Sequence, residues 1–335
     1  MEQRKIVAGI MALVIIAAAL YTFLGRDDLR RVRETRFFMD TVVEMQVVHE
    51  EPETIMGEAF EAMLELEAKT DRFNPESDVS KINESAGKGP VQVDEEVMAI
   101  IKKGLEWGDK TDGLFTIAIA PLMDLWGFGY DQEPDLPDEK QIEAILPRIS
   151  LDGIGVFPEE NKIEIGEGME IDLGGIAKGA VVDRGMEVLK ENGVYGAFIN
   201  AGGDIRVYGQ KEDRTSWRVG IRDPRVDERQ HLEDFIVEAE KGAIVTSGDY
   251  ERYFRVDGER FHHILDPRTG YPARGLRSAT IIGPSCAVAD VLSTAAFMMG
   301  ENALNFVEEI PEYEGLFITD NGEILTTTNF VEAGK

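Results

Sequence analysis

Ile171-Asp172-Leu173-Gly174-Gly175-Ile176-Ala177-Lys178-Gly179 continues as AVVDRGMEVLKENG to Gly193, followed by GAFIN over 196–200 and IRVY over 205–208. Two glycines ahead of an apolar-periodic run, with Asn192-Gly193 as its stop, predict a glycine turn opening a helix over 172–193. The short runs after it predict strands. The same alternation extends to both sides. Upstream, Phe37 to Val48 reads as a strand, and Pro52 to Lys69 as a helix with Ile55, Ala59, Ala62, Met63 and Leu66 on one face. A polar loop spans Asp71 to Asn83, and Asp94 caps a helix running to about Trp107. Residues 113–129 form an apolar, glycine-punctuated segment, followed by a short helix over 138–146 and a strand over 162–165. Downstream come strands over 217–221, 235–238 and 279–282 and a helix over 288–299 ending at Gly300. A hairpin then crosses Asp320-Asn321-Gly322. This mixture predicts an α+β fold of two packed lobes with mostly antiparallel strands, not a doubly wound sheet.

The chain has 335 residues, enough for one large domain or two intimately packed lobes. With 64 acidic against 35 basic residues, its formal charge of -29 disfavours phosphate backbones, so nucleic acid is a poor partner. Cys286 is alone, which excludes an intramolecular disulfide and a cysteine-built zinc or iron–sulfur site. Ile6 to Leu24 is an uncharged apolar run preceded by Arg4 and Lys5, and at ~1.5 Å per residue it spans about 28 Å, near bilayer thickness. Residues 1–35 are therefore expected to be a signal anchor or, given Ala17-Ala18-Ala19, a cleaved signal peptide. Residues 36–335 would then form the catalytic domain, on the extracytoplasmic side of the cell membrane.

Three segments carry chemistry. The glycine turn at 174–175 opens a helix whose N-terminus suits phosphate, with Lys178 one turn in and Asp172 as an acceptor; a plain strand-to-helix turn is the alternative. On the helix near 288–299, Asp290, Ser293 and Thr294 fall on one face, a hard-cation oxygen set for Mg²⁺ or simply a local Asp–Thr hydrogen bond. The turn Asp266-Pro267-Arg268-Thr269-Gly270 would fix a strand end bearing His262 and His263, one of which could serve as a general base. Asn200 to Ile205 and Thr246-Ser247-Gly248 read as glycine-relaxed loops with small polar side chains. Phosphate turn, cation cluster and activating histidine together are the parts that phosphoryl transfer needs.

In this order the segments resemble the ApbE-type FAD:protein FMN transferases. The resemblance runs from Phe38 to about Gly300 through Met39-Asp40-Thr41, DRFNPESDVSKIN (71–83), Gly113-Leu114-Phe115, DLGGIAKG, NAGGDI, VTSGDY, FHHILDPRTG and ADVLSTA. It implies FAD bound between the lobes, with Mg²⁺ taken by the Gly175 main-chain oxygen, Asp290, Thr294 and Ser293. It further implies that Phe73 stacks on the isoalloxazine and that Met39, Leu114, Phe115, Thr116, Asp172, Lys178, Asp204 and Ile264 contact flavin or nucleotide. His263 would activate the acceptor, a Thr or Ser hydroxyl of a membrane or exported protein such as a redox-pump subunit. Asp40, where the family often has Gly, and Thr116, where Asp is common, depart from the pattern. A Mg²⁺-dependent FAD pyrophosphatase and a non-catalytic flavin-binding protein are the competing readings.

Overall fold

The computed structural model describes residues 29–129, 134–225 and 231–330. The apolar run 6–24 lies outside them; among the described residues no helix is long and apolar enough to cross a membrane.

The described chain opens with a hairpin of β1 (Arg30–Phe38) and β2 (Thr41–His49). Helix α1 (Pro52–Thr70), α2 (Asp78–Glu84), β3 (Val91–Gln92) and α3 (Glu95–Lys110) follow. After α4 (Ala120–Leu125) and α5 (Glu139–Ile145), β4 (Ile154–Phe157) and β5 (Lys162–Ile165) join β3 in a three-stranded sheet. Helix α6 (Gly174–Glu191) leads to β6 (Gly196–Ala201) and β7 (Asp204–Gly209). Then come the ribbon β8 (Trp217–Arg222) and β9 (His231–Ala239), strand β10 (Lys241–Gly248) and the hairpin β11 (Tyr253–Val256) and β12 (Glu259–His262). The described chain closes with β13 (Leu276–Gly283), α7 (Cys286–Met299), α8 (Ala303–Glu308), β14 (Glu314–Thr319) and β15 (Ile324–Thr326).

Eight strands form one sheet in the order β1-β2-β6-β7-β10-β13-β14-β15, antiparallel throughout. Period-two alternation gives it two apolar faces. Ala243, Val245, Ile281 and Phe317 point to the helical side, where α1, α6 and α7 pack. Ile244, Leu316 and Ile318 point to the other side and meet Val219, Ile221, Leu232 and Val237 of the β8–β9 ribbon. One apolar cluster runs from Phe38 to Phe317, so the lobes expected from sequence share a core.

Several sequence expectations change. Phe37 to Val48 is not one strand: the chain reverses at Met39 and Asp40, both left-handed (φ 53° and 51°), making a two-residue hairpin turn without glycine. The polar loop 71–83 contains α2, with Ser77 accepting from the Ser80 amide at its N-terminus. Thr246-Ser247-Gly248 is the end of β10, not a loop. The short strands β3, β4 and β11 carry little periodic signal and were not expected, whereas β12 ends at His262, as the turn over 266–270 implied.

Helices α6 and α7 meet backbone to backbone. A Cβ on Gly179 would lie 2.5 Å from the Cys286 carbonyl oxygen and 2.8 Å from Ala287 Cα. One turn along α6, Asp183 caps α7 from outside: it accepts from Ser285 Oγ (2.8 Å), the Cys286 amide (3.0 Å) and the Ala287 amide (3.1 Å). Gly179→Ala is expected to cost about 1–3 kcal/mol, since only backbone is there to move. Gly57→Ala, on α1 with open space around it, should instead stabilise by roughly 0.5–1 kcal/mol. Denaturant midpoints of the two variants should move in opposite directions; a shared direction would refute the contact.

Candidate functional site

The helices meet the sheet above a cleft of about 720 Å³. Two hairpin turns form one wall. Met39-Asp40 ends β1–β2, and Gly202-Gly203 (φ 61° and 108°) ends β6–β7 beside it. They are close enough that a Cβ on Gly202 would sit 2.3 Å from Thr41 Oγ1. The Met39 amide donates to Glu67 Oε1 (2.6 Å), which anchors the left-handed turn to α1. Glu67 lines the cleft, and burial, with Asp71 and Asp40 nearby, raises its carboxyl above the usual value despite the Met39 hydrogen bond.

The start of α6 is held from three directions. Asn83 grips the Ile171 peptide on both sides, donating to its carbonyl (2.9 Å) and accepting from its amide (2.7 Å). The Asp172 amide donates to the Ile117 carbonyl (2.8 Å), and Asp172 Oδ1 accepts from the Gly174 amide (2.7 Å). Gly175 lies over Phe115, whose ring would be 3.0 Å from an added Cβ. The turn is therefore a built surface against the cleft.

One helical turn further, Lys178 Nζ pairs with Asp204 Oδ1 at 2.8 Å. The β6–β7 turn buries Asp204 to 1 % exposure; its second oxygen, Oδ2, meets no N–H or hydroxyl donor, and the Asp290 carboxyl is the neighbour within hydrogen-bonding reach of Asp204. Asp290, on α7, accepts from the Gly179 amide (3.2 Å) and is also buried. Burial first, and then the neighbouring Asp204, push the Asp290 carboxyl well above the usual range. Asp204 is raised by burial as well, against the opposing pull of Lys178. Burial works against the Lys178 charge, but Asp204 and Asp290 outweigh it and hold the ammonium protonated. Two buried carboxyls within hydrogen-bonding reach of each other are the environment that a hard cation relieves. Thr294 Oγ1 lines the same pocket, and no Asp290–Thr294 hydrogen bond is present among the described residues. Among those residues no three His, Cys, Asp or Glu side chains cluster as metal ligands, so hydroxyl, carbonyl, water or phosphate oxygens would complete the shell.

Ser293 is set apart from this group. It is fully buried, and its hydroxyl donates to the Asp290 carbonyl (2.9 Å) and bonds Ser247 Oγ (2.8 Å). Ser247 also reaches Thr294 Oγ1 at 3.3 Å. Met39, Phe73, Leu114, Phe115, Thr116, Asp172, Gly175, Lys178, Asp204, His263, Ile264, Asp290 and Thr294 all line the one cleft. So do Asp40 and Arg252. Sequence alone assigns no role to Glu67, Arg252 or Arg72, and of these only Arg72 stands inside a quoted motif, between Asp71 and Phe73; Ser247 stands in Thr246-Ser247-Gly248, where it reads as a loop residue.

The two histidines divide their roles. His262 Nε2 sits 2.9 Å from the Ala273 carbonyl and must donate, while its Nδ1 accepts from the Ile264 amide (3.3 Å). Both nitrogens are spent on structure. His263 Nδ1 lies 3.2 Å from the Arg252 carbonyl, so Nδ1 carries the proton and Nε2 keeps its lone pair. Burial first, then the Arg252 charge, lower His263 to about 3; burial lowers His262 to about 4. An unfolded chain binds these protons below about 6.5, whereas the folded one refuses them until about pH 4 to 3. The histidines' contribution to stability is thus complete above about pH 6.5 and lost as pH falls through that window. By nitrogen NMR the His263 ring should stay neutral, protonated at Nδ1, from about pH 8 down to about pH 4; a midpoint near 6.5 would show a solvated ring.

The ApbE family profile matches residues 39–317. Curated proteins named FAD:protein FMN transferase are similar over most of their length. The one from Treponema pallidum is 29% identical over 96% of this chain and 93% of its own. That from Vibrio cholerae is 32% identical over 80% and 81%, and that from Klebsiella pneumoniae 34% over 76% and 78%. Among solved structures, the ApbE protein of Thermotoga maritima superposes with a TM-score of 0.82 at 36% identity, covering 90% of this chain and 98% of that one. The flavin transferase ApbE from Vibrio cholerae gives 0.81 at 27%, with the same coverage. With this profile matched across both walls of the cleft, the chain belongs to the ApbE family.

Proposed function

We propose that the chain transfers the FMN half of FAD onto a Thr or Ser hydroxyl of an acceptor protein, releasing AMP, with Mg²⁺ held in the cleft. The names of its relatives support flavin transfer. The observation that carries the finer reading is the convergence of the Asp204 and Asp290 carboxyls, Lys178 and a neutral His263 on one cleft. Asp290, Thr294 and the Gly175 carbonyl would hold the ion, which supplies charge neutralisation for a diphosphate.

The remaining work falls to side chains. Phe73 and Leu114 offer apolar surface to the flavin ring, and Asp172 offers an acceptor oxygen. His263 Nε2 accepts the proton of the acceptor hydroxyl as its oxygen attacks the phosphorus on the riboflavin side. The bond from that phosphorus to the bridging oxygen breaks, and AMP departs with the electron pair beside the Lys178 ammonium. His263 binds its proton weakly in the empty cleft, and the diphosphate's negative charge raises that affinity when FAD is bound. Positioning and fixed charge supply most of the acceleration. We also propose that Ile6 to Leu24 anchors the chain, with the domain from residue 36 on the extracytoplasmic side of the cell membrane.

Incubating a Thr-bearing acceptor domain with the protein, FAD and Mg²⁺ should add the mass of FMN to the acceptor, and chelator should abolish the gain. Free FMN and AMP without a gain would replace transfer by pyrophosphate hydrolysis; retained FAD with neither product would leave a flavin carrier. In melts without FAD, Asp290→Asn should match or exceed the wild type when metal is absent, because a buried amide avoids the cost of keeping a buried carboxyl ionised or protonating it. It should also lose the stabilisation that Mg²⁺ gives the wild type. An equal Mg²⁺ response in both proteins would remove Asp290 from the metal site.

A further inference from the structure

Ser247 has no part in the chemistry above, yet it stands in the middle of a chain of hydroxyls whose protons fix the direction of each bond. Ser293 Oγ lies 2.9 Å from the carbonyl of Asp290, three residues back on α7. A carbonyl can only accept, so the single hydroxyl proton of Ser293 is spent there. Ser247 Oγ lies 2.8 Å from Ser293 Oγ. Because Ser293 has no second proton, Ser247 donates in that bond. Its own proton is then spent too, so in the contact with Thr294 Oγ1 at 3.3 Å Ser247 accepts and Thr294 donates. The bonds run one way, from Thr294 through Ser247 and Ser293 to the Asp290 carbonyl.

Two elements remote in sequence make this relay. Ser247 closes the polar end of β10, and Ser293 and Thr294 stand on α7, 46 and 47 residues later. Ser293 is fully buried, so water offers its hydroxyl no other partner. Thr294 lines the cleft together with Asp290. A threonine hydroxyl free to rotate there would donate to the carboxyl four residues back, and each group would occupy the other. Instead Asp290 meets the Gly179 amide and Asp204, and Thr294 meets Ser247. With its one proton drawn toward Ser247, Thr294 Oγ1 keeps its lone pairs for the cleft. A hard cation needs lone pairs and is opposed by an inward O–H, so the relay presents the oxygen in the state that Mg²⁺ takes.

We propose that Ser247 is a positioning residue for the cation site: accepting from Thr294 and donating to Ser293, it holds the Thr294 hydroxyl as a pure acceptor beside Asp290. This rests on the Mg²⁺ reading given above. It makes Ser293 the anchor of the relay instead of a ligand, and it ties the sheet to the cation site through β10.

The test is a pair of double-mutant cycles on Mg²⁺ affinity in FAD-free protein. Affinity is read from the Mg²⁺-dependent rise in melting temperature, with Mn²⁺ binding followed by electron paramagnetic resonance as a second probe. Ser247→Ala should weaken Mg²⁺ binding about tenfold, the lower end of what a residue orienting a metal ligand is worth. In chelator its melting should stay close to the wild type, because Thr294 is half-buried and water can accept its proton. In a Thr294→Val background the same change should alter Mg²⁺ affinity less than about twofold, since the hydroxyl it positions is gone. Ser293→Ala should likewise cost affinity in the wild type and little more in Ser247→Ala. Losses that add in either cycle would make Ser247 or Ser293 act on the ion independently and overturn the proposal. Lowered melting of Ser247→Ala with unchanged Mg²⁺ affinity would overturn it too, leaving Ser247 a packing residue. Wild-type protein that binds neither ion, with FAD or without, would overturn the cation reading itself, a result separate from additivity.

Discussion

Where α6 crosses α7, the two backbones touch at Gly179 and Cys286, and the geometry of the cleft depends on that contact. Side chains between the helices would hold Asp290 away from Gly179, whose amide it now reaches, and from Lys178 and Asp204. Asp183 fixes the same crossing a turn later by taking the first amides of α7. Its charge is balanced by Arg206 at 3.2 Å. Two helices remote in sequence are thus locked in register by one missing methyl group and one carboxylate. The acid–lysine cluster is a product of that lock.

Electrostatics in the cleft follow from depth more than from composition. The chain carries -29, yet its cleft also holds Arg72, Lys178 and Arg252, and burial has weakened Glu67, Asp204 and Asp290 as acids. Burial pushes carboxyls up and imidazoles down, so at neutral pH both kinds of group lean toward the uncharged form. A charged ligand that brings its own counter-ion restores ionisation where it is needed and leaves the surface acidity to solubility.

Long periodic elements were legible in the sequence: α1, α3, α6 and α7 were expected close to their observed ranges, as were β5 to β8 and the β14–β15 hairpin. The turn at Met39-Asp40 was hidden because it uses no glycine, and its left-handed residues are stabilised by a carboxylate from a distant helix. Strand β10 was hidden at its polar end, where Thr246 pairs with Thr280 and Ser247 with Ser293 across elements that no local pattern joins. The residues of the site were readable as a set because glycine turns and motif order mark them. Their division of labour was not: His262 and His263 are adjacent in sequence, yet His262 spends both ring nitrogens on backbone groups and His263 only one.

The strand order of the large sheet has a kinetic side. Strand β2 pairs on its inner edge only with β6, from Val43 opposite Ala201 to Val48 opposite Gly196. During synthesis the inner edge of β2 therefore stays unpaired while residues 50–195 are made. Such long-range closure slows folding and leaves an adhesive edge open in the interim. The cleft is incomplete until β6 has docked, because the β6–β7 turn that carries Gly202 and Asp204 forms part of its wall.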